Sequence, residues 1–181
     1  YTLTAMWSSN YNIANLTYMQ DFASLSSDEK GKIITNMTVG SVRQLTDNRD
    51  NNIYYISKLK DGNVWMLDNL RLGGTSAITL TPANTNLNST SWTLPASTSS
   101  GISSTTPMIN TQYKNNTATN YGQGSGKIGV YYNFCAASAG SVCTADASAS
   151  AAWQDVCPAG WRLPTGGKNT TYPHGEYASL G

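Results

Sequence analysis

Charge is scarce in this chain. Asp, Glu, Lys and Arg make up 12% of its 181 residues, about half the usual share, and they nearly cancel to a net +1. No run of Lys or Arg exceeds two, so the electrostatic footprint of a nucleic-acid binder is missing. Long apolar runs are missing too: no stretch approaches the roughly 20 residues that cross a bilayer. Histidine occurs once, as His174 in a Pro/Gly-rich loop, and any Ser-His-Asp or Cys-His triad would have to recruit it. Zinc needs three or four Cys, His or carboxylate ligands, which one His and three cysteines expected to be oxidised do not supply. Ten acids, most of them in turns, are a thin source of the paired carboxylates that glycoside hydrolysis uses. The expectation is a chain that is not an enzyme and holds no cofactor and no metal.

Ser, Thr, Asn and Gly fill the space that charge leaves. Hydrophobic residues reach 39%, and the length suits one domain. A neutral, hydroxyl-rich surface of this kind suits an exported, β-rich protein. Eleven Tyr and five Trp separate it from a disordered polar chain, which is poor in aromatics. The chain begins at Tyr1, so either a signal has been removed or this is a piece of a larger protein. Five tripeptides, starting at Asn15, Asn36, Asn88, Asn115 and Asn169, match the N-glycosylation acceptor pattern and read as surface loops. The three cysteines, Cys135, Cys143 and Cys157, allow three pairings with one thiol left over. Closing the short loop Cys135–Cys143 is the first expectation, and such a bond contributes about 2–3 kcal/mol through the unfolded state. The odd thiol hints at a partner outside the chain.

Along the chain, Tyr18, Met19, Phe22 and Leu25 are spaced as a helical face. Ser27, followed by Asp28, Glu29 and Lys30, reads as the N-cap of a short helix. Residues 42–46, 53–59 and 64–67 read as strands, with the turn formers Asp47-Asn48-Arg49-Asp50-Asn51-Asn52 between the first two. Asp47, Asp50 and Asn52 could offer oxygens to calcium, but the glycine and distal glutamate of an EF-hand are missing and the turn reading is preferred. Asp61-Gly62 predicts a two-residue hairpin that places Leu59 opposite Val64, Lys58 opposite Trp65 and Ile56 opposite Leu67. In that register the Lys58 stem lies across the Trp65 ring.

Residues 72–127 read as a long, mostly irregular insert with one short strand near Trp92–Leu94. Gly122-Gln123-Gly124-Ser125-Gly126 is not a phosphate loop, because the Gly-Lys-Ser/Thr ending is absent. Residues 128–136 alternate like a strand, 144–155 read as an Ala-rich helix with Trp153 packing inward, and Trp161–Thr165 as a short buried strand. The string from Gly175 to Leu180 opens a helix that stops at Gly181, so a truncated domain is expected. Trp65, Met66, Leu70, Tyr132, Trp161 and Leu163 are the expected structural core.

Three motifs together resemble the Fibrobacter succinogenes major paralogous domain family. They are Trp65-Met66-Leu67-Asp68-Asn69-Leu70-Arg71, Gly129-Val130-Tyr131-Tyr132-Asn133-Phe134 and Cys157-Pro158-Ala159-Gly160-Trp161-Arg162-Leu163-Pro164-Thr165, the last followed by Glu176-Tyr177. Their order matches, as does the variable insert between the first two. The resemblance covers roughly 41–181, the first half to two-thirds of the family pattern, and leaves 1–40 as a lead-in with short helices. It implies the formylglycine-generating-enzyme branch of the C-type-lectin-like fold: α+β, irregular antiparallel sheets, a few short helices and long loops. The paired redox cysteines and copper arrangement of that enzyme have no counterpart here, nor do the Glu-Pro-Asn and Trp-Asn-Asp triplets of sugar-binding C-type lectins. The late family cysteine that is absent is an implied partner for the leftover thiol.

The expected role is a non-enzymatic recognition or adhesion module on a bacterial cell surface, binding a protein or glycan of a host or neighbouring cell through loops. Trp92, Tyr113 and Tyr121 in the insert are the expected ligand-binding anchors, with ordinary packing as their alternative. The other expectation is a structural subunit of a surface fibre or layer, a homo-oligomer completed by a neighbouring chain.

Overall fold

The computed structural model describes residues 11–73, 76–88, 90–96, 114–115, 131–132, 134–142, 152–164 and 176. Three strands form the first sheet: β1 (Val42–Thr46), β2 (Ile53–Lys58) and β3 (Val64–Met66), antiparallel in the order β1-β2-β3. Their β-branched and aromatic residues suit a pleated surface with one buried face. Leu45, Tyr54 and Ile56 fill that face, while Val42, Ile53 and Tyr55 stay exposed on the other. The β1–β2 turn closes through Asp47 N–H to the Asn52 carbonyl at 2.8 Å, with Asn51 in the left-handed region at φ 61°.

The β2–β3 register departs from the two-residue hairpin. Ile56 faces Met66, Ser57 faces Trp65 and Lys58 faces Val64, one residue out of step with the expected pairing. The loop is Lys60-Asp61-Gly62, three residues with glycine last at φ +85°, and Leu59 N–H bonds the Asn63 carbonyl at 2.9 Å. A slip of one residue exchanges the faces, so the Lys58 stem does not cover Trp65. Lys58 Nζ instead donates to the Ile34 carbonyl at 2.9 Å.

Two α-helices precede the sheet among the described residues: α1 (Asp21–Ser24) and α2 (Ser27–Asn36). The cap of α2 is Ser26 rather than Ser27, because Glu29 returns a bond to the Ser26 amide at 2.8 Å and completes a capping box. Residues 17–19 lie beside the end of β1, with Met19 N–H to the Thr46 carbonyl at 2.8 Å. Ile13, Met19, Phe22, Ile33 and Met37 join Leu45, Tyr54 and Ile56 in the first core.

The second core is smaller in its side chains. Leu72, Leu80, Leu87, Leu94, Ala136, Ala139 and Val156 form it. Its sheet pairs β4 (Ile78–Leu80) with β5 (Trp92–Leu94), so the strand expected near Trp92 has a partner that the sequence pattern does not signal. A third, two-residue pairing joins β6 (Lys114–Asn115) to β7 (Tyr131–Tyr132). The strand expected over 128–136 stops there. Phe134–Ala137 is a helical turn, α3, that buries Cys135 and Ala136; its small residues suit a helix packed closely on neighbours.

Trp153 is 60% exposed rather than packed inward. Trp161–Pro164 form no strand: Gly160 at φ +86° and the Trp161 N–H bond to the Pro158 carbonyl turn the chain instead. The expected Ala-rich helix and the helix opening at Gly175 fall mostly outside the described residues.

A buried polar seam joins the two cores. The Arg49 and Asp47 side chains are both wholly enclosed and meet at 2.6 Å. Arg49 also donates to Thr85 Oγ1 at 3.1 Å and the Val156 carbonyl at 2.8 Å. Gln20 adds a bond to Asp47 at 2.8 Å. The result is a mixed α+β fold of antiparallel sheets and few short helices.

Candidate functional site

An open groove of about 500 Å³ lies between residues 63–70 and 160–164. Its first wall is β3 and the turn after it. Trp65 is pinned by its indole N–H to Asp61 at 2.9 Å, and Asn63 donates to the same carboxylate. Burial alone would push the Asp61 carboxyl up, but the bonds from Asn63 and Trp65 outweigh it and hold it below the ordinary carboxylate range. Asp68 ends the β2–β3 ladder by accepting the Tyr55 N–H at 2.7 Å.

Beyond Leu70 the chain is clamped from both sides. Arg71 N–H donates to the Tyr54 hydroxyl at 2.8 Å, and its guanidinium stacks 4.5 Å over the Tyr54 ring. The Tyr132 hydroxyl accepts from Leu72 N–H at 3.0 Å and donates to the Leu70 carbonyl at 3.3 Å. Burial pushes both phenols up, so each stays a neutral hydroxyl.

The second wall is anchored through Pro158, which bridges Thr85. Gly160 then passes so close to α1 that a Cβ there would sit 2.6 Å from the Ala23 nitrogen. That approach delivers Trp161 onto Phe22, edge to face at 5.2 Å and 77°, with its indole N–H on the Met19 carbonyl at 2.8 Å. Arg162 crosses to Glu176 in a two-pronged ion pair whose cation is exposed. Side-chain bonds to Glu176 outweigh burial and raise the Arg162 guanidinium further.

Trp65, Met66, Leu70, Trp161 and Leu163, expected as enclosed core, are therefore brought together but only half-buried, and they line the groove. Tyr132 lies outside it, beneath Leu70–Leu72. Trp92 is half-buried against the second core, away from the groove. Tyr113, Tyr121 and His174 lie outside the described residues. Cys135 is disulfide-bonded and Cys157 is a free, buried thiol; Cys143, the expected partner of Cys135, lies outside the described residues. Burial first, then Asp155, pushes the Cys157 thiol well up. Asp47 is committed to Arg49 and Gln20, and Asp50 to Asn52 and Gly73, as a turn requires. Among the described residues no three His, Cys, Asp or Glu side chains gather for a metal ion.

Lys30 and Phe22 complete the groove and were not foreseen. The Asp61, Asp68 and Glu176 carboxylates are each bonded within the fold. Half-buried Lys30 makes no ion pair among the described residues. The groove also runs along an open strand edge. Leu59 N–H to the Asn63 carbonyl and Leu67 N–H to the Tyr55 carbonyl fix which β3 residues face β2. By alternation, the amides and carbonyls of Val64 and Met66 point away from it. No hydrogen bond reaches these groups among the described residues.

Comparison with family models, with curated proteins and with solved structures finds no match for this chain.

Proposed function

We propose that this chain is a non-enzymatic recognition or adhesion module of a bacterial cell surface, and that the groove between β3 and residues 160–164 is its contact surface. The scaffold we assign is C-type-lectin-like, on the order of the three motifs. One observation carries the functional reading: the tryptophans of two distant motifs meet around one open space of about 500 Å³. That volume is within the range of about 300–1,000 Å³ typical of binding sites, and apolar residues form most of its wall. The neutral, hydroxyl-rich composition supports an extracellular setting.

Tryptophan emission is the direct test, since Trp65 and Trp161 both line the groove. A glycan array and a panel of surface proteins from a host or neighbouring cell supply the ligands. The expected result is a binder that shifts the emission and is lost in Leu163→Asp, a change at the half-buried rim. A folded protein that binds nothing in either panel overturns the reading.

A second reading, a fibre or layer subunit completed by a neighbouring chain, draws on the open edge at Val64 and Met66. Sedimentation at high concentration separates the two, since a persistent monomer opposes assembly.

A further inference from the structure

We infer that the groove is a strand-addition site, taking an extended peptide of another protein that carries apolar side chains and one carboxylate. The inference rests on the binding reading above and names the partner. Its basis is the pairing of two features: an open strand edge and an apolar slot beside it.

The edge is specific. Val64 and Met66 present two N–H groups and two carbonyls outward, two residues apart, at the spacing that a peptide backbone answers. Residues from both faces of the strand line the groove: Met66 shares the core face with Ile56, while Trp65 shares the opposite face with Ser57. Only a space running alongside the strand is bordered in this way. The other edge of the sheet differs. At β1 the Thr46 amide and carbonyl are taken by residues 17–19, and exposed Arg43 and Gln44 follow. Polar, charged and covered positions of this kind keep an edge from pairing. Among the described residues the β3 edge has no such protection.

Charge selects the guest. Every groove carboxylate is bonded within the fold, whereas the Lys30 ammonium is unmatched among the described residues. A peptide carboxylate at that end answers it. Phe22, Ile34 and Leu70 take the alternate apolar side chains. A glycan offers no backbone ladder to Val64 and Met66.

The test is selection of short random peptides from a displayed library on the whole chain, followed by amide exchange. Selected peptides are expected to alternate apolar residues and to carry an acid. In their presence exchange at Val64 and Met66 should slow at least tenfold. Methylating the peptide nitrogens on its pairing edge should weaken binding at least tenfold, and Lys30→Glu should weaken it several-fold. Met66→Pro removes an outward N–H without breaking the β2 ladder and should abolish binding. The methylated peptide keeps the test intact if that variant does not fold.

Selected peptides that bind without slowing exchange at Val64 and Met66, or equally well when methylated, overturn strand addition. So does protection of those amides in the free chain, whether concentration-dependent, which assigns the edge to a second copy, or not, which assigns it to the chain itself. If no peptide is selected but a glycan shifts the tryptophan emission, strand addition falls and the binding reading stands. If nothing binds, both fall.

Discussion

Around β1–β3 the backbone pairs mainly with backbone, and the core is filled by Met, Phe, Ile, Leu and Tyr. Around β4, β5 and α3 the strands are three residues or fewer, the core is Leu, Ala and Val, and the connecting segments lean on side chains. Asp155 accepts the Cys157 N–H at 2.8 Å and the Asn86 amide at 3.0 Å. Gln154 donates to the Ala139 carbonyl at 2.9 Å, and Ser138 accepts the Val142 N–H at 3.2 Å. Polar side chains here are thus not only surface. Where regular ladders are short, they satisfy buried backbone groups that would otherwise cost about 1–3 kcal/mol each.

The seam between the halves is where the comparison is broken most severely. Arg49→Leu leaves the Asp47 carboxylate enclosed and unpaired, which costs about 3–5 kcal/mol. Because Arg49 also holds Thr85 and Val156, the second half should lose its hold on the first. Urea unfolding should then show two transitions where the parent shows one. A parent-like single transition with little loss of stability would count against the seam. Adding Asp47→Asn to Arg49→Leu should recover part of the loss.

Gly160→Ala comes next. Its φ of +86° disfavours any side chain, and the Cβ meets the Ala23 backbone at 2.6 Å, which cannot yield as a flexible side chain would. The combined cost is about 2–4 kcal/mol. Displacement of Trp161 from Phe22 should follow, so the emission spectrum should change along with the melting temperature.

A matched pair sharpens the contrast at lower cost. Tyr54→Phe strips the acceptor from the buried Arg71 N–H and should cost about 1–3 kcal/mol. Ser138→Ala strips the acceptor from Val142 N–H, a longer bond at 3.2 Å, and should cost about 1 kcal/mol. Exchange of the Arg71 and Val142 amides reads each loss separately.

How much of this was legible varies with how local the cause is. The span of β2 follows from a β-branched and aromatic run between turn formers, and β1 from its place before the same turn formers; both were readable. The Ser26 cap was also written in the chain, since Glu29 stands three residues after Ser26 and not after Ser27. The hairpin register was not: Asp61-Gly62 serves a two-residue turn or a three-residue loop with glycine last, and the difference lies in backbone geometry. For the site, the two tryptophan strings were readable as anchors and they do meet. That they border a groove instead of filling a core depends on what packs against them. Lys30 carried no signal at all, because a lysine in a polar helix gives no sign of which groove it flanks. The inward packing expected of Trp153 failed for the same reason, since an Ala-rich string does not show what would cover it.

The smallest predicted effect probes the hairpin that carries the first wall of the groove. The folded Asp61 carboxyl titrates below its ordinary value, so its ionised form favours the folded loop. Its contribution is therefore complete above the unfolded value of about 4 and is lost as pH falls from there through the lowered folded value. Asp61 is half-buried and its bonds to Asn63 and Trp65 stay within the hairpin, so the expected signal is local rather than global. The indole N–H resonance of Trp65, bonded to Asp61 at 2.9 Å, should move with a midpoint below 4 while the amides of β1 and β2 hold their positions. Asp61→Asn should remove that step. A Trp65 resonance that stays flat from pH 5 to pH 2 would show that the loop is held by Gly62 and the Leu59–Asn63 bond alone, and that the register of β3 owes nothing to this carboxylate.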